Sequence, residues 1–143
     1  MNIFTTFDIA ASGLSAQRTR LNTISSNLAN AETTSTPEGG PYKKKSVLFQ
    51  SELVSFKNQL NRVMNRHAQG VKVTRILEDN DPPQQIYNPS HPDADENGYV
   101  AMPNVSVIQE IVDMMSATRS YEANTTTIQS AKRMALKALD IGS

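Results

Sequence analysis

The chain has 143 residues, no cysteine and no tryptophan, and its 14 basic residues balance 14 acidic ones, so the formal net charge is zero. This balance gives no electrostatic basis for binding nucleic acid or an anionic membrane surface, and the lack of cysteine excludes disulfides and cysteine-based metal or redox sites. The apolar fraction of 38% is below the ~45–50% usual for globular domains, which predicts that part of the burial occurs between chains.

The N-terminal segment, residues 3–31, carries an apolar seven-residue repeat typical of a helix packed along its length. One row consists of Phe7, Leu14, Leu21 and Leu28, and a second row consists of Ile3, Ala10, Gln17, Ile24 and Ala31. Gly13 lowers the intrinsic helicity, so we expect this helix to be stable only when packed. Turn-forming residues at 30–41 are expected to end it.

The C-terminal segment, residues 105–141, repeats the pattern and predicts a second helix. Its main row consists of Val107, Met114, Tyr121, Ile128 and Ala135, and Ile111, Thr118, Thr125 and Leu139 share the same face. Three small residues flank this row and are expected to let another helix approach closely: Ala117, Ala131 and Ala138.

The middle segment holds all seven prolines and is predicted to form short strands joined by turns. Strands are expected at 42–50, 71–77, 85–87 and 99–102, the last preceded by the turn signal Asn97-Gly98. Apolar residues at helical spacing predict a short extra helix over residues 52–67.

These patterns predict an α+β fold with an N-terminal helix in residues 1–34, a β-rich middle domain in 35–104 and a C-terminal helix in 105–143. The end helices are predicted to pair as an antiparallel, coiled-coil-like hairpin, with the middle domain inserted at one tip. Two paired helices leave much surface uncovered, and ordering costs ~1–2 kcal/mol per residue, which favours a polymer subunit. A monomeric helical hairpin with a β insertion remains open.

The motif most suggestive of chemistry is Asp93–Gly98, which matches the first six positions of a calcium-binding loop. The twelfth position is Asn104 instead of a bidentate glutamate, and the flanking helices are missing. We therefore interpret the segment as a polar turn leading into the strand at Tyr99.

Other candidates for chemistry are weaker. His67 and His91 have no ligand-spaced partner, and the Lys43–Lys45 run is interpreted as a solvated strand edge. No phosphate-binding loop, nucleophile elbow or metalloprotease helix is present. The sequence thus predicts no catalytic residue, no cofactor, no metal site, no nucleic-acid partner and no small-molecule substrate.

Residues 1–8 have neither the basic segment nor the apolar run of a secretory signal, and no stretch approaches the ~18 apolar residues of a membrane span. On these grounds alone the sequence predicts no cleaved signal peptide and a cytoplasmic location.

Three segments carry a family resemblance. The first, which closes the N-terminal helix, contains Asn27, Leu28, Ala29 and Asn30. The second contains Gly98, Tyr99, Met102, Pro103, Asn104 and Val105, and the third contains Ser120, Tyr121, Ala123 and Asn124. Together they resemble the axial proteins of the bacterial flagellum, the rod, hook and hook–filament junction proteins, and the second segment is most similar to those of the proximal rod. Two departures are Ser106, where an Asp commonly stands, and a longer, more helical segment at 52–68.

The resemblance implies a structural subunit and not an enzyme, with its terminal helices forming the inner layer of a tube and a small outer domain. Implied partners are copies of itself, other flagellar rod proteins, and membrane-ring and export-gate components at the rod base. It also implies export by the flagellar type III apparatus without a cleaved signal, a place in the periplasm-spanning rod of the basal body in place of the cytoplasm, and transmission of motor torque.

Residue roles follow from the same resemblance. The inner seam of the N-terminal helix is expected to consist of Phe7, Leu14, Leu21, Ile24 and Leu28. The residues expected to face this seam and neighbouring subunits are Val107, Ile111, Met114, Tyr121 and Ile128. Asn27 and Asn30 are expected either to satisfy backbone groups at the helix end or to bond across subunits. Two alternatives from other classes are a soluble binding module, such as an export chaperone gripping a partner helix, and a calcium-dependent domain.

Overall fold

A computed structural model describes residues 3–53 and 69–141 of the chain. Two long helices flank four strands in the order α1 (Ile3–Ala29), β1 (Lys45–Leu53), β2 (Gln69–Glu78), β3 (Gln84–Tyr87), β4 (Tyr99–Met102) and α2 (Val107–Ile141). The strands form two separate antiparallel pairs, β1 with β2 and β3 with β4. The α+β class predicted from the sequence is therefore confirmed.

The two helices pack against each other in antiparallel directions. Near the end of α1, Asn27 contacts Glu110 in the first turn of α2, and one helical turn of α2 further on, Arg20 pairs with Asp113 at 2.8 Å. Near the middle of both helices, a Cβ built at Gly13 would lie 2.8 Å from Asn124 Nδ2. Contacts closer to the N-terminus of α1 thus involve residues closer to the C-terminus of α2. The two helices are antiparallel, which confirms the predicted helical hairpin.

The contact seam between the helices consists of small and polar residues at seven-residue spacing. On α1 the seam row is Gly13, Arg20 and Asn27, and on α2 it is Glu110, Ala117, Asn124 and Ala131. Ala117 and Ala131 are 0% and 1% exposed, because among the described elements α2 packs only against α1. The prediction that small residues let the helices approach closely is confirmed for these two alanines, whereas Ala138 is exposed.

The large apolar rows expected to form this seam lie beside it instead. On α2, Val107, Ile111 and Tyr121 are exposed in the single chain, and their contact with neighbouring subunits stays a prediction. Met114 and Ile128 are half-buried at the edge of the contact. The physical reason is that small side chains allow the closest approach of two backbones, and bulky side chains one row away are then left outside.

The strands β1 and β2 form a two-stranded ribbon that lies against α1. The backbone N–H of Val71 donates to Ser12 Oγ at 3.1 Å, and the pairing shifts by one residue between Leu48 and Phe49. A lone two-stranded hairpin is marginal in water, so its packing on α1 supplies needed support. The predicted helix over 52–67 is wrong for Glu52 and Leu53, which continue β1, and the rest of it, like His67, lies outside the described residues.

The small β3–β4 pair is closed by a tight turn at Gly98. Gly98 has a φ of 80°, and Asp95 Oδ1 accepts hydrogen bonds from the backbone N–H groups of Asn97 and Tyr99 at 2.9 and 2.8 Å. The interpretation of residues 93–98 as a polar turn leading into the strand at Tyr99 is confirmed, since Asp95 caps the turn's own backbone.

Replacing Gly98 with alanine is expected to destabilise this turn. Left-handed backbone costs a non-glycine residue roughly 1–2 kcal/mol, and the added Cβ would also lie 2.9 Å from Tyr87 Cε2 and 3.2 Å from Pro89 Cβ. Gly40 offers a matched control because its φ is 77° with nothing within 4 Å of a Cβ. Thermal unfolding should show a larger loss for Gly98→Ala than for Gly40→Ala, and equal losses would contradict the contact argument.

Candidate assembly interface

A buried polar cluster joins the end of α1, the start of β1 and the first turn of α2. Its centre is Asn27, which is 1% exposed. Asn27 Nδ2 donates to the backbone oxygen of Lys45 at 2.8 Å and to Glu110 Oε2 at 3.0 Å. Asn27 Oδ1 accepts from the backbone N–H of Lys45 at 2.9 Å and from the Tyr42 hydroxyl at 3.0 Å. Both donors and both acceptor sites of this amide are therefore satisfied.

Glu110 completes the cluster as a nearly fully buried carboxylate. Its side chain is 2% exposed, and its Oε1 lies 2.8 Å from Lys44 Nζ. A buried charge is tolerated only when it is paired and hydrogen-bonded, and here Lys44 supplies the pairing and Asn27 the hydrogen bond. We call the group Asn27, Tyr42, Lys44, Lys45 and Glu110 the polar node.

Asn27 and Asn30, the first and last residues of the four-residue motif, have different roles in the structure. Asn30 Nδ2 donates to the backbone oxygen of Ser26 at 2.8 Å, and its Oδ1 accepts from Thr33 Oγ1 at 3.3 Å. Asn30 thus caps the Ser26 carbonyl in the last turn of α1, whereas Asn27 satisfies the backbone of β1. Of the two roles left open for these asparagines, satisfaction of backbone groups is what both perform within the chain.

Sequence reasoning missed Glu110, Tyr42 and Lys44 as members of this cluster. Glu110 occupies a seam position of the seven-residue repeat. A lone acidic residue in the otherwise apolar start of α2 is the sequence feature that could have pointed to a buried polar contact. Tyr42 and Lys44 lie in the segment before β1, and their approach to α1 depends on the path of the preceding turn. That path follows two glycines with positive φ, Gly39 and Gly40.

The two faces of the helical hairpin differ in what covers them. Each helical residue turns about 100° from the one before it, so Ser12, which holds the ribbon, lies on one side of the seam residue Gly13, and Leu14 lies on the other. On α2, Ile111 follows the seam residue Glu110 in the same rotational sense. Because the helices are antiparallel, equal rotations lead to the same side of the pair. Large apolar residues of both helices therefore share the face opposite the ribbon.

We call this surface the apolar face. Its members on α1 are the half-buried Phe7, Leu14, Leu21 and Leu28, and on α2 they are Val107, Ile111, Met114, Tyr121 and Ile128. Ile108 and Met115, which are 78% and 54% exposed, extend it outward. Ile24, the remaining predicted seam residue, is buried between the elements. An uncovered apolar surface of this extent on a small chain is typical of a protein interface.

The other family-motif residues support the β3–β4 pair and its junction with α2. Val100, Pro103 and Val105 are buried, while Met102 is half-buried. Asn104 Oδ1 accepts a hydrogen bond from Gln84 Nε2 at 3.1 Å, which ties the start of α2 to β3. Ser106 takes the capping role, because its Oγ accepts from the backbone N–H of Gln109 at 3.4 Å.

The family models and curated relatives agree with this architecture. The model described as "Flagella basal body rod protein" matches residues 7–35, which cover α1 and the Asn27 motif. The model described as "Flagellar basal body rod FlgEFG protein C-terminal" matches residues 96–141, which cover β4 and α2. The chain is 44% identical to the flagellar basal-body rod protein FlgC of Bacillus subtilis, over 99% of each chain. The chain belongs to the FlgC family of flagellar basal-body rod proteins.

Two further FlgC relatives support the assignment across nearly the whole chain. The FlgC protein of Salmonella typhimurium is 44% identical over 99% of each chain. That of Borreliella burgdorferi is 42% identical over 99% of this chain and 98% of the relative. As a FlgC-family member the protein is a structural component of the flagellar basal body and not an enzyme, and it assembles with itself and other rod components.

The described part of the FlgC-family chain has neither a metal-binding cluster nor a membrane-spanning helix. In residues 3–53 and 69–141 no three His, Asp or Glu side chains are grouped so as to hold a metal ion. Neither α1 nor α2, over the lengths described, has a stretch apolar enough to cross a bilayer.

Proposed function

We propose that this FlgC-family protein is a subunit of the proximal rod that polymerises through its terminal helices into a hollow drive shaft. In this proposal the polymer transmits motor torque and forms part of the export-channel wall. Its partners at the rod base are membrane-ring and export-gate components, and the subunit reaches the periplasm without a cleaved signal peptide. The division into residues 1–34, 35–104 and 105–143 is the matching proposal for axial helices and outer domain.

The observation that carries the proposal is the apolar face opposite the ribbon. The contact between α1 and α2 is made by small and polar side chains. The large apolar residues beside it can therefore contact neighbouring subunits. Burying apolar surface contributes roughly 25 cal/mol per Å², and contacts with neighbouring subunits would remove this face from water. The ribbon covers the other face, which orients the subunit with its β structure away from the polymer contact.

A labelling experiment in assembled rods tests this orientation. The chain has no cysteine, so a single introduced thiol reports one position. Thr118 and Ser116 are both exposed and flank the buried Ala117, Thr118 on the side of the apolar face and Ser116 on the side of the ribbon. In purified basal bodies we expect maleimide labelling of Thr118→Cys to be strongly suppressed relative to the monomer, and labelling of Ser116→Cys to be suppressed much less.

The outcomes separate the proposal from its competitors. Equal suppression at both positions would contradict the assignment of the apolar face as the polymer contact. Recovery of the chain in a soluble complex with a partner protein, and not in basal bodies, would instead favour a binding module.

A further inference from the structure

Residues that weaken an α-helix occur at the same level of both long helices. On α1 they are Ser12 and Gly13, and on α2 they are the consecutive threonines 125–127. The two groups lie side by side, because a Cβ built at Gly13 would be 2.8 Å from Nδ2 of Asn124, the residue directly before the threonines. We call residues 12–13 and 124–127 the weak level of the helical pair.

On the α1 side, a serine and a glycine favour a bend. Gly13 has no side chain to restrict its backbone, which makes glycine a poor helix former, and Gly/Ser pairs are common sites of helix kinks. Ser12 Oγ donates to the backbone oxygen of Ile9 at 2.7 Å, so it competes for a carbonyl of its own helix. α1 therefore bends more easily here than in a turn built of strong helix formers.

On the α2 side, three threonine hydroxyls bond back to their own helix. Oγ1 of Thr125, Thr126 and Thr127 each donates to the backbone oxygen four residues earlier, at 3.0, 2.9 and 2.9 Å. Threonine is β-branched, which lowers its helix propensity, and this back-bonding slightly destabilises a helix and often bends it. Successive residues point about 100° apart, so the weakening is not confined to one face of α2.

Polar links fasten the two helices to each other on one side of the weak level. Asn27 donates to Glu110 at 3.0 Å, and Arg20 pairs with Asp113 at 2.8 Å. Both links lie between the weak level and the closed end of the hairpin. The helices are therefore held in a fixed arrangement on this side.

The ribbon covers the same side of the weak level. Asn27 donates to the backbone oxygen of Lys45 at the start of β1, and Ser12 accepts from the backbone N–H of Val71 in β2. The ribbon thus lies along α1 from the closed end to the weak level. We call residues 14–29 and 107–123, together with the ribbon, the fastened part.

On the other side of the weak level, residues 3–11 and 128–141 form what we call the outer part. Its helices stay together through small side chains, since Ala10 and Ala131 are 3% and 1% exposed. Tilting of the outer part as one unit preserves these contacts, whereas separation of the helices would expose them to water. Bending at the weak level is therefore the movement that disturbs the packing least.

We propose that the weak level is a hinge, about which the outer part tilts as a paired unit relative to the fastened part. A few positions that absorb a change of backbone conformation between two rigid bodies are the usual structure of a hinge. The inference concerns the single chain and does not depend on the proposed polymer contact. Its consequence is that the outer part can follow neighbours that are not equivalently placed.

Distances between pairs of spin labels test the hinge in the full-length chain. The chain has no cysteine, so two introduced thiols carry the labels, and Asp8, Gln50 and Lys137 are exposed positions. Gln50→Cys with Lys137→Cys joins the fastened part to the outer part, and we expect pulsed electron double resonance to give a broad distance distribution. Asp8→Cys with Lys137→Cys lies within the outer part and should give a narrow one.

Two pairs of alanine substitutions locate the flexibility. Thr126→Ala/Thr127→Ala removes two back-bonds at the weak level and raises helix propensity, so the Gln50–Lys137 distribution should become narrower by about half. Thr118→Ala/Ser120→Ala is the matched control, because these hydroxyls make the same kind of bond within the fastened part. The control should leave the distribution unchanged.

Three outcomes would overturn the inference. A narrow Gln50–Lys137 distribution in the parent chain would show that the outer part does not tilt. A broad Asp8–Lys137 distribution would show that the helices separate instead of tilting together. Equal effects of the two alanine pairs, including no effect of either, would show that the flexibility does not arise at the weak level. None of these results bears on the proposed polymer contact, which the labelling of basal bodies tests separately.

Discussion

Replacing Asn27 with alanine is expected to lower the free energy of unfolding by about 3–4 kcal/mol, a large effect for one side chain. The substitution removes all four hydrogen bonds of the polar node's central amide. The backbone N–H and carbonyl of Lys45, the Tyr42 hydroxyl and Glu110 each lose a partner. Glu110 keeps Lys44 as its ion-pair partner, so the cost arises jointly from the buried polar groups that each lose a hydrogen bond. Urea unfolding followed by circular dichroism measures the loss.

Asn30→Ala is the matched control for this prediction. The same residue type is removed three residues further on at the helix end, but its amide bonds only one α1 carbonyl and one threonine hydroxyl. Loss of such a neutral hydrogen bond costs about 0.5–1.5 kcal/mol. A difference between the two variants smaller than the error of the extrapolation would show that the polar node is not the main fastening between α1, β1 and α2.

A lysine at position 111 is expected to abolish rod assembly while leaving the monomer's stability within about 0.5 kcal/mol of the wild type. Ile111 lies on the apolar face and is 47% exposed in the single chain, so a charge there costs little until a neighbour covers it. In the polymer the charge would be buried without a partner, which is strongly unfavourable. Swimming in soft agar and electron microscopy of basal bodies measure assembly, and thermal unfolding measures stability.

Gln109→Lys is the matched control for assembly. Gln109 is also exposed. It comes just before the seam residue Glu110, and Ile111 comes just after it. Gln109 and Ile111 therefore lie on opposite sides of α2. Swimming should persist with this lysine. Loss of swimming in both variants would show that any charge in the first turns of α2 is harmful and would remove support for the apolar face. Leu21 and Ile128 are less suitable positions because they are half-buried against the partner helix.

The seven-residue repeats were sufficient to predict both helices and their antiparallel pairing, but not which row forms the contact. The sequence reading gave weight to large apolar residues such as Leu14 and Met114. The structure places Gly13, Ala117 and Asn124 at the contact. A pattern of apolar residues shows that a helix has an apolar side, and it does not show whether that side faces the same chain or another. In a polymer subunit, the helix side that packs within the chain and the side that packs on another chain can be different.

The polar node was harder to predict because it joins residues far apart in sequence. Asn27 and Glu110 are 83 positions apart, and each alone reads as a surface or capping residue. Their meeting depends on the helix register, which the small residues of the seam determine. Strand positions were predicted well for β4, where the Asn97-Gly98 turn defines the start, and poorly at the end of β1, where Glu52 and Leu53 fit either a helix or a strand.

The antiparallel pairing of α1 and α2 also determines how the subunit responds to a pulling force. Ile3 begins α1 at the same end of the pair where α2 finishes, so a force applied at either terminus peels the helices apart one turn at a time. Peeling breaks few contacts at once and requires less force than sliding two helices lengthwise past each other. The first contacts to separate are the small residues of the seam, and the polar node, at the closed end, is the last. A subunit built in this way is easily drawn out into a single strand from its ends and closes again starting from the node.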